Sequence, residues 1–296
     1  MKTIAMLISD ACRRREADKE IERQNRIDAV YRAHPEIERI DRAIMLERTQ
    51  SLIRVTEQDL DASDLPTEEE KALLIKRASL LRTTGTDPEF DSEFPVCSKC
   101  NDTGYISKER KNTVIRKVCS CMKEELKEAY AEAGLADYES VIPSSFDPAF
   151  IERSKDKRKL VNQTLVEGVL KLGAGKRADT FIYTDGVQSG KTFLTICFAK
   201  FAIELGYSVM YVKCDDIQSF EGDTIDWMKN CDVLLVDDFS SGITGVYRIS
   251  NILNSVMDVR NAKGLLSVFV TNESKEEIVA KCEERVAGKL SAAKRL

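Results

Sequence analysis

Several features are scarce in this 296-residue chain, and each scarcity excludes a class of protein. No uncharged apolar run approaches the roughly 18 residues of a membrane-spanning helix. The short apolar start, residues 1–8, precedes the basic run at residues 13–15 instead of following one, which argues against a secretory signal and for a cytoplasmic location. The formal net charge of −5 gives no general attraction to nucleic-acid phosphates, so any DNA contact must come from a local basic surface.

Histidine is also scarce, and the cysteines are spread unevenly. The nine cysteines are an odd number, and the only histidine is His34. Four cysteines crowd into residues 97–121, whereas five are scattered among helix- or strand-like sequence: Cys12, Cys197, Cys214, Cys231 and Cys282. This distribution predicts one metal site and five buried or partly buried thiols instead of a disulfide framework.

The crowded cysteines have the spacing of a zinc site. Cys97 and Cys100 form a C-x2-C pair, and 18 residues separate it from the C-x-C pair of Cys119 and Cys121. Two such pairs on neighbouring hairpin tips place four thiolates around a tetrahedral zinc, and Gly104 lets the chain turn sharply beneath the metal. Four protein ligands leave no position open, so the predicted site is structural. The alternative is four unligated thiols in a polar segment with little core of its own.

Residues 10–84 predict a helical region, because they contain many charges and no glycine. Apolar residues recur there at helical spacing, for example Ile37, Ile40 and Ile44. Pro35 and Pro66 divide the region into about three helices, and we expect Pro66 in the first turn of the last one, ahead of Thr67 and three glutamates. The region is either a solvated helical bundle or an arm that binds a partner.

From residue 180 onward, short apolar runs alternate with amphipathic helices. This pattern predicts a three-layer α/β domain with a largely parallel sheet. The domain organisation expected from the sequence is a helical partner-binding region at 1–90, a four-cysteine module at 91–135 and a P-loop α/β domain at 136–296.

A phosphate-binding loop is predicted between the strand at 180–183 and the helix at 193–205. Strand, glycine-bearing turn and helix N-terminus together present backbone N–H groups to a polyphosphate. The candidate nucleotide-binding residues are Gly186, Val187, Gln188, Ser189, Gly190, Lys191, Thr192 and Phe193. In this pattern Lys191 reaches the β- and γ-phosphates and Thr192 ligates Mg²⁺. Asp185 stands where the first glycine is expected, and we predict that its carboxylate points away from the phosphates.

Two later strands end in polar residues that suit nucleotide chemistry. The apolar run 232–236 delivers Asp237, a predicted Mg²⁺ ligand, and Asp238, which can orient or deprotonate the attacking water. Another buried strand at 265–270 ends near Asn272, which we expect beside the Asp237 strand as a sensor of the γ-phosphate. Taken alone, Asn272 is an ordinary turn residue; after the two preceding motifs, the sensor interpretation is favoured.

The order of these motifs resembles the DnaC/DnaI-type replicative helicase loaders, AAA+ ATPases of Gram-positive bacteria and their phages. The resemblance rests on residues 97–105, the C-x-C pair, the P-loop, Val236-Asp237-Asp238 and Thr271-Asn272, and it includes the helical residues 37–42. It covers most of the chain from about His34 onward.

The resemblance implies partners and an activity. The helical N-terminal region is expected to bind the hexameric replicative helicase, and the AAA+ domain is expected to use ATP, Mg²⁺ and single-stranded DNA to open or place the ring. AAA+ proteins usually carry Glu where this chain has Asp238, so we expect only weak ATPase activity.

The same resemblance suggests a residue that acts on a neighbouring subunit. Glu284-Arg285-Val286 matches the family segment that carries basic residues toward the neighbour's nucleotide, so Arg285 is the candidate. Lys289 is second, because it stands where the family often has Arg and lacks the bidentate fork. Many relatives carry an insertion for DNA contact or oligomerisation before the position of Asp237, and here it is short or absent. No α-helical lid domain is found before Leu296 either, so self-association is expected to need the helicase as a template.

Two other functions compete with loading. A transposition helper ATPase shares this type of core, although that class is not expected to carry the cysteine module. A non-enzymatic adaptor would bind a partner and only hold nucleotide. The candidate DNA contacts, which are alternatively solvated basic faces, are residues 153–159 with Lys289, Lys294 and Arg295.

Overall fold

The computed structural model describes residues 1–57, 61–110, 113–142, 155–239 and 247–296. These residues form two compact units. We call Cys12–Asp102 the helical unit, and Met1–Ala11 with Thr103–Leu296 the α/β unit. None of the helices in the described ranges combines the length and the hydropathy that crossing a bilayer requires.

The helices of the N-terminal region are α1 (Ile4–Ala33), α2 (Pro35–Thr56) and α3 (Glu68–Thr84). The predicted division at two prolines is confirmed, but Pro66 does not lie in the first turn of α3. The N-cap of α3 is Thr67, whose hydroxyl accepts the Glu70 N–H at 3.2 Å. A capping residue has extended backbone, so the helix begins only after it and Pro66 stays outside.

The core of the helical unit is small. Ile37, Leu81 and Phe90 are its buried centre, and partly buried side chains such as Tyr31 pack against them. Arg77 adds a polar connection, because its guanidinium lies 2.6 Å from an Asp41 carboxylate oxygen and 2.7 Å from one of Asp91. Charged hydrogen bonds of this kind stabilise more than neutral ones do.

The α/β unit opens with the antiparallel hairpin of β1 (Tyr105–Arg110) and β2 (Thr113–Val118), followed by α4 (Lys123–Glu132). Gly104 precedes β1 with φ of 73°, and a Cβ there would come within 2.5 Å of Ile8 and 2.9 Å of Met122. The predicted need for glycine at this turn is confirmed.

A parallel sheet of five strands forms the centre of the α/β unit. Its strands are β3 (Thr180–Thr184), β4 (Val209–Lys213), β5 (Val233–Asp237), β6 (Leu266–Thr271) and β7 (Lys294–Arg295), in the spatial order β4-β5-β6-β3-β7. The intervening helices are α5 (Lys155–Gly173), α6 (Lys191–Glu204), α7 (Gly222–Asn230), α8 (Tyr247–Lys263), α9 (Lys275–Lys281) and α10 (Glu284–Ser291).

Side chains alternate across the sheet and produce three layers. One set of alternating strand residues, among them Ile182, Val212, Val236 and Phe269, packs in a single buried cluster with residues of α7 to α10. Helix α5 contacts β6, and helix α6 contacts β4 and β5 of the same sheet. The predicted three-layer α/β fold with a parallel sheet is therefore confirmed.

Two features of this unit were not predicted. Arg260 on α8 has 0% exposure, and its guanidinium donates to carbonyl oxygens of Met228, Cys231 and Leu266 and to the Ser267 hydroxyl. The basic C-terminal residues form β7, where Lys294 and Arg295 pair with β3. A strand of two residues has no periodicity, so pattern analysis takes it for a tail.

Candidate nucleotide site and four-cysteine centre

The loop between β3 and α6 is a tight turn with two residues in the left-handed region. Gln188 and Gly190 adopt left-handed conformations, with φ of 59° and 82°, and Gly190 is the N-cap of α6. The helix begins at Lys191, so Lys191 and Thr192 both lie in its first turn. The N–H groups of a helix's first turn, together with the positive end of the helix dipole, favour an anion at such a place.

Lys191 is folded into the loop. Its ammonium donates to the carbonyl oxygens of Asp185 and Gly186, both at 2.7 Å, and to the Ser189 hydroxyl at 3.2 Å. The side chain is buried at 7% exposure, and these acceptors compensate its charge. The loop thus presents a cation among its own carbonyl groups, beside the start of α6.

Asp185 turns back on the loop instead of facing the cleft. Its carboxylate accepts the N–H of Gly186 at 2.8 Å, and Asp185 is not among the residues that line the cleft beside the loop. A short Asp side chain readily bonds the backbone just after it. The structure agrees with the prediction that this carboxylate points away.

A cleft of about 340 Å³ brings together most of the candidate residues. It is lined by Val187, Gln188, Ser189, Gly190, Lys191, Thr192, Asp237, Asp238, Val270, Thr271 and Asn272. The strand order explains the grouping. Strand β6 pairs with β5 on one side and with β3 on the other, so the carboxyl ends of all three meet at one edge of the sheet. Ligands of open parallel sheets bind at such edges.

Asp237 is the most constrained carboxylate of the cleft. Only 2% of the residue is exposed. The Tyr211 hydroxyl donates to Oδ2 at 2.8 Å, and the Asp238 N–H donates to Oδ1 at 3.0 Å. Burial, followed by the charge of Asp237, raises the pKa of Tyr211, so its hydroxyl stays protonated at neutral pH and acts as a donor.

Asp238 occupies an unusual backbone position at the end of β5, with φ of 51°. Asp is one of the few non-glycine residues that tolerate the left-handed region. Desolvation of the carboxyl raises the pKa of Asp238, and the neighbouring charge of Asp237 adds to this effect. Such conditions favour the proton-accepting role that a general base needs.

The donor set of the cleft fits magnesium. Thr192 offers a hydroxyl oxygen and Asp237 a carboxylate oxygen, and Mg²⁺ prefers hard oxygen ligands together with water and nucleotide phosphates.

Three of the residues predicted for the nucleotide site do not line the cleft: Gly186, Phe193 and Arg285. Gly186 contributes its carbonyl to Lys191, as described above. Arg285 is exposed in the first turn of α10.

Lys289, the alternative to Arg285, is held within its own chain. Its ammonium donates to the Asn254 carbonyl at 3.0 Å and lies 2.8 Å from an Asp258 carboxylate oxygen, both on α8. Lys294 forms an ion pair with Asp179 at 2.8 Å. Of the basic residues suggested for DNA contact, Arg153 lies outside the described residues, whereas Lys159 and Arg295 are exposed.

The four clustered cysteines converge as their spacing predicts. The sulfur atoms of Cys97, Cys100, Cys119 and Cys121 lie within 4.8 Å of one another, so the group can hold a metal ion. Four thiolates at such separation suit tetrahedral zinc. The turn carrying the first pair is stabilised by Asp102, whose carboxylate accepts the N–H groups of Val96 at 3.0 Å and Cys97 at 2.8 Å. The five scattered cysteines are buried or partly buried, as predicted.

Sequence reasoning missed Tyr211 as part of the site. A signal was present, because a tyrosine interrupts the buried run of β4 and a buried tyrosine needs a partner for its hydroxyl. The missing information was that β4 pairs with β5, in a register that places Lys213 opposite Asp237.

Comparison with known proteins gives structural likenesses only. No protein-family model and no curated protein matches the sequence. Among solved structures, AMPPCP-bound DnaA from Aquifex aeolicus is 19% identical, with 48% of this chain and 46% of that chain covered and a TM-score of 0.43. A structure of DnaI is 16% identical. The match covers 48% of this chain and 81% of that chain, with a TM-score of 0.42. A structure of the DnaC helicase loader is 18% identical. The match covers 54% of this chain and 97% of that chain, with a TM-score of 0.39.

The chain thus spans less than half of the DnaA structure that it matches.

Proposed function

We propose that this chain is an ATP-dependent loader of a replicative helicase, with the nucleotide in the cleft at the carboxyl edge of the sheet. The observation that carries the proposal is the convergence of Lys191, Thr192, Asp237 and Asn272 on one cleft, at the ends of three adjacent strands. A cation, a hydroxyl, a carboxylate and an amide are the groups that phosphoryl transfer from ATP requires.

Each residue then has a separate task in the reaction. When nucleotide binds, the Lys191 ammonium leaves the carbonyl oxygens of the loop and contacts the β- and γ-phosphates. The N–H groups of residues 186–193 surround the phosphate chain. Magnesium, when bound, neutralises phosphate charge, and Thr192 and Asp237 are the residues that would hold it. Asp238 accepts a proton from the attacking water, and Asn272 hydrogen-bonds the γ-phosphate or that water. The shorter reach of Asp238 compared with Glu makes the chain a slow ATPase.

Self-association is part of the proposal. Arg285 is exposed on α10, outside the cleft of its own chain, and is therefore available to the nucleotide of a neighbouring copy. Lys289 is engaged by Asn254 and Asp258, which makes Arg285 the better candidate. The helicase hexamer supplies the template on which the copies assemble.

The helical unit supplies the surface for the helicase. On α2, Met45 and Leu46 are 72% and 60% exposed, and Leu52 and Ile53, seven residues later, are 59% and 50% exposed. Spacing of seven residues places these side chains on one stripe of the helix. An exposed apolar stripe among charged residues is typical of a protein-binding surface. Single-stranded DNA and a four-cysteine zinc centre complete the proposed set of partners and cofactors.

The test is a pull-down of replicative helicase hexamers, with light scattering to count copies, in ADP and in a non-hydrolysable ATP analogue. The expected result is a complex that depends on the ATP analogue. Leu52→Ser should weaken it at least about tenfold if the stripe contributes a buried interface side chain. Gln50→Ser, an exposed polar change on the same helix, is the matched control and should leave binding unchanged.

An adaptor that holds nucleotide without hydrolysing it is the second candidate, and Asp238 favours it because a shorter carboxylate lies at the catalytic place. Lys191→Ala separates the two. A nucleotide-switched loader loses loading activity with this change, whereas an adaptor keeps its binding partner and its activity. Fluorescence of Trp227, the single tryptophan, verifies that the variant is folded.

A further inference from the structure

The carboxylate of Asp237 is positioned by a residue from the neighbouring strand. Its Oδ1 atom receives a backbone N–H from Asp238, which belongs to the turn that follows β5. Its Oδ2 atom receives the Tyr211 hydroxyl from β4, at 2.8 Å. A buried carboxylate needs such donors, and two donors on different oxygens fix the plane of the group.

Tyr211 is itself firmly held. Its backbone N–H donates to the Ala133 carbonyl at 2.8 Å, on the edge of the sheet that no strand covers within the described residues. The chain after α4 approaches so closely that a Cβ at Gly134 would lie 2.3 Å from the Tyr211 carbonyl oxygen. The ring of Tyr211 packs edge-on against Tyr138, with ring centroids 5.6 Å apart and planes at 80°.

Tyr138 in turn is connected to the P-loop helix. The Lys200 ammonium on α6 donates to the carbonyl oxygens of Tyr138 at 2.6 Å, Glu139 at 3.0 Å and Val141 at 2.8 Å. The segment that holds the Tyr211 ring is therefore fixed to the same helix that begins with Lys191 and Thr192. The two proposed magnesium ligands and Tyr211 belong to one connected arrangement of α6, β4 and β5.

We propose that Tyr211 is a positioning residue for magnesium, which aims the Asp237 carboxylate at the cation beside the Thr192 hydroxyl. This inference rests on the proposed nucleotide site and adds a determinant that lies outside the cleft itself. Tyr211 does not line the cleft, so it acts on nucleotide only through Asp237. Loss of its hydroxyl leaves Oδ2 buried without its donor, and the carboxylate gains freedom to rotate away from the cation.

The test measures binding of a fluorescent, non-hydrolysable ATP analogue to the full chain, titrated with MgCl2 and repeated in EDTA. Tyr211→Phe keeps the ring packed on Tyr138 and removes only the hydroxyl. The expected result is an increase of about tenfold in the Mg²⁺ concentration for half-maximal binding, since loss of a partner behind a metal ligand typically costs that much. Affinity in EDTA is expected to stay within about twofold of the wild type, because the P-loop contacts are unchanged.

Tyr130→Phe is the matched control, because it removes the hydroxyl of a partly buried tyrosine that donates to a carboxylate oxygen of Glu204 at 3.2 Å. Its Mg²⁺ response should equal that of the wild type. In an Asp237→Asn background, Tyr211→Phe should add no further change, since coupled residues are not additive.

Two results would overturn the inference. One is an unchanged Mg²⁺ response of Tyr211→Phe. The other is an equal loss of affinity in EDTA, which would assign Tyr211 a general structural role. Failure of the wild type to bind the analogue at all is distinguishable from both, and would reject the proposed nucleotide site on which the inference rests.

Discussion

In the helical unit, Ile37, Leu81 and Phe90 form a small buried centre with the ion pairs of Arg77 at its margin, whereas in the α/β unit a large buried cluster extends from β3 to α10. The same contrast holds for their arginines. Arg77 of the helical unit is bound to two carboxylates at the margin of its core, and Arg260 of the α/β unit is bound to neutral acceptors in the interior.

The contrast shows how stability is distributed in this chain. A small core needs charged contacts at its margin and leaves apolar side chains of α2 exposed. A continuous core holds the strand ends rigidly enough to position a carboxylate and a lysine in one cleft. In the segment 97–121 we expect a metal held by the four cysteines to supply stability.

The largest effect should come from removing that metal. We expect one zinc per chain, and structural zinc binding by four thiolates is worth on the order of 10 kcal/mol. Cys100→Ser should lose the zinc, as measured by mass spectrometry of the metal, and the 97–121 segment should become sensitive to protease. Cys282→Ser, a partly buried cysteine of the α/β unit, should keep a full complement. A protease-resistant, zinc-free wild type would show that the segment has a sufficient core of its own.

Arg260→Leu should produce the next largest effect. The change leaves several buried carbonyl oxygens without donors, and each such loss costs roughly 1–3 kcal/mol, so we expect a total loss of about 3 kcal/mol or more. Urea unfolding followed by Trp227 fluorescence measures it, since Trp227 belongs to α7 of the α/β unit. Arg248→Leu, an exposed arginine on the same helix, is the control. Equal midpoints for the two variants would contradict the role assigned to Arg260.

Arg77→Met should produce a smaller loss, confined to the helical unit. Its guanidinium is 18% exposed, and hydrogen bonds to charged groups contribute roughly 1.5–3 kcal/mol, so we expect about 2 kcal/mol. Far-ultraviolet circular dichroism should show part of the helix signal lost at lower urea, with the Trp227 transition unchanged. Arg42→Met, which removes an exposed i,i+4 pair with Glu38, should have little effect. A parallel shift of both transitions would mean that the units unfold as one.

Much of the local structure was predictable from short-range patterns. The prolines divided the N-terminal helices, the cysteine spacing identified the four-sulfur cluster, and strand–turn–helix order located the loop that ends in Lys191. These features depend on backbone sterics and on contacts between residues close in sequence. The error at Pro66 arose because a side-chain cap at Thr67 competes with proline for the start of the same helix.

Tertiary structure decided what no local pattern contains. Strand order placed Asn272 between the P-loop and Asp237, and the register of β4 beside β5 brought Tyr211 to the carboxylate. Lys289 and Arg285 lie on the same short helix, and the contacts of Lys289 with Asn254 and Asp258 on α8 could not be predicted from the sequence. Arg260 reads as an ordinary charge at the end of a helix and is instead completely buried. The physical reason is the same in each case: periodicity determines which face of an element is apolar, but the partner of a polar side chain depends on which distant elements pack beside it.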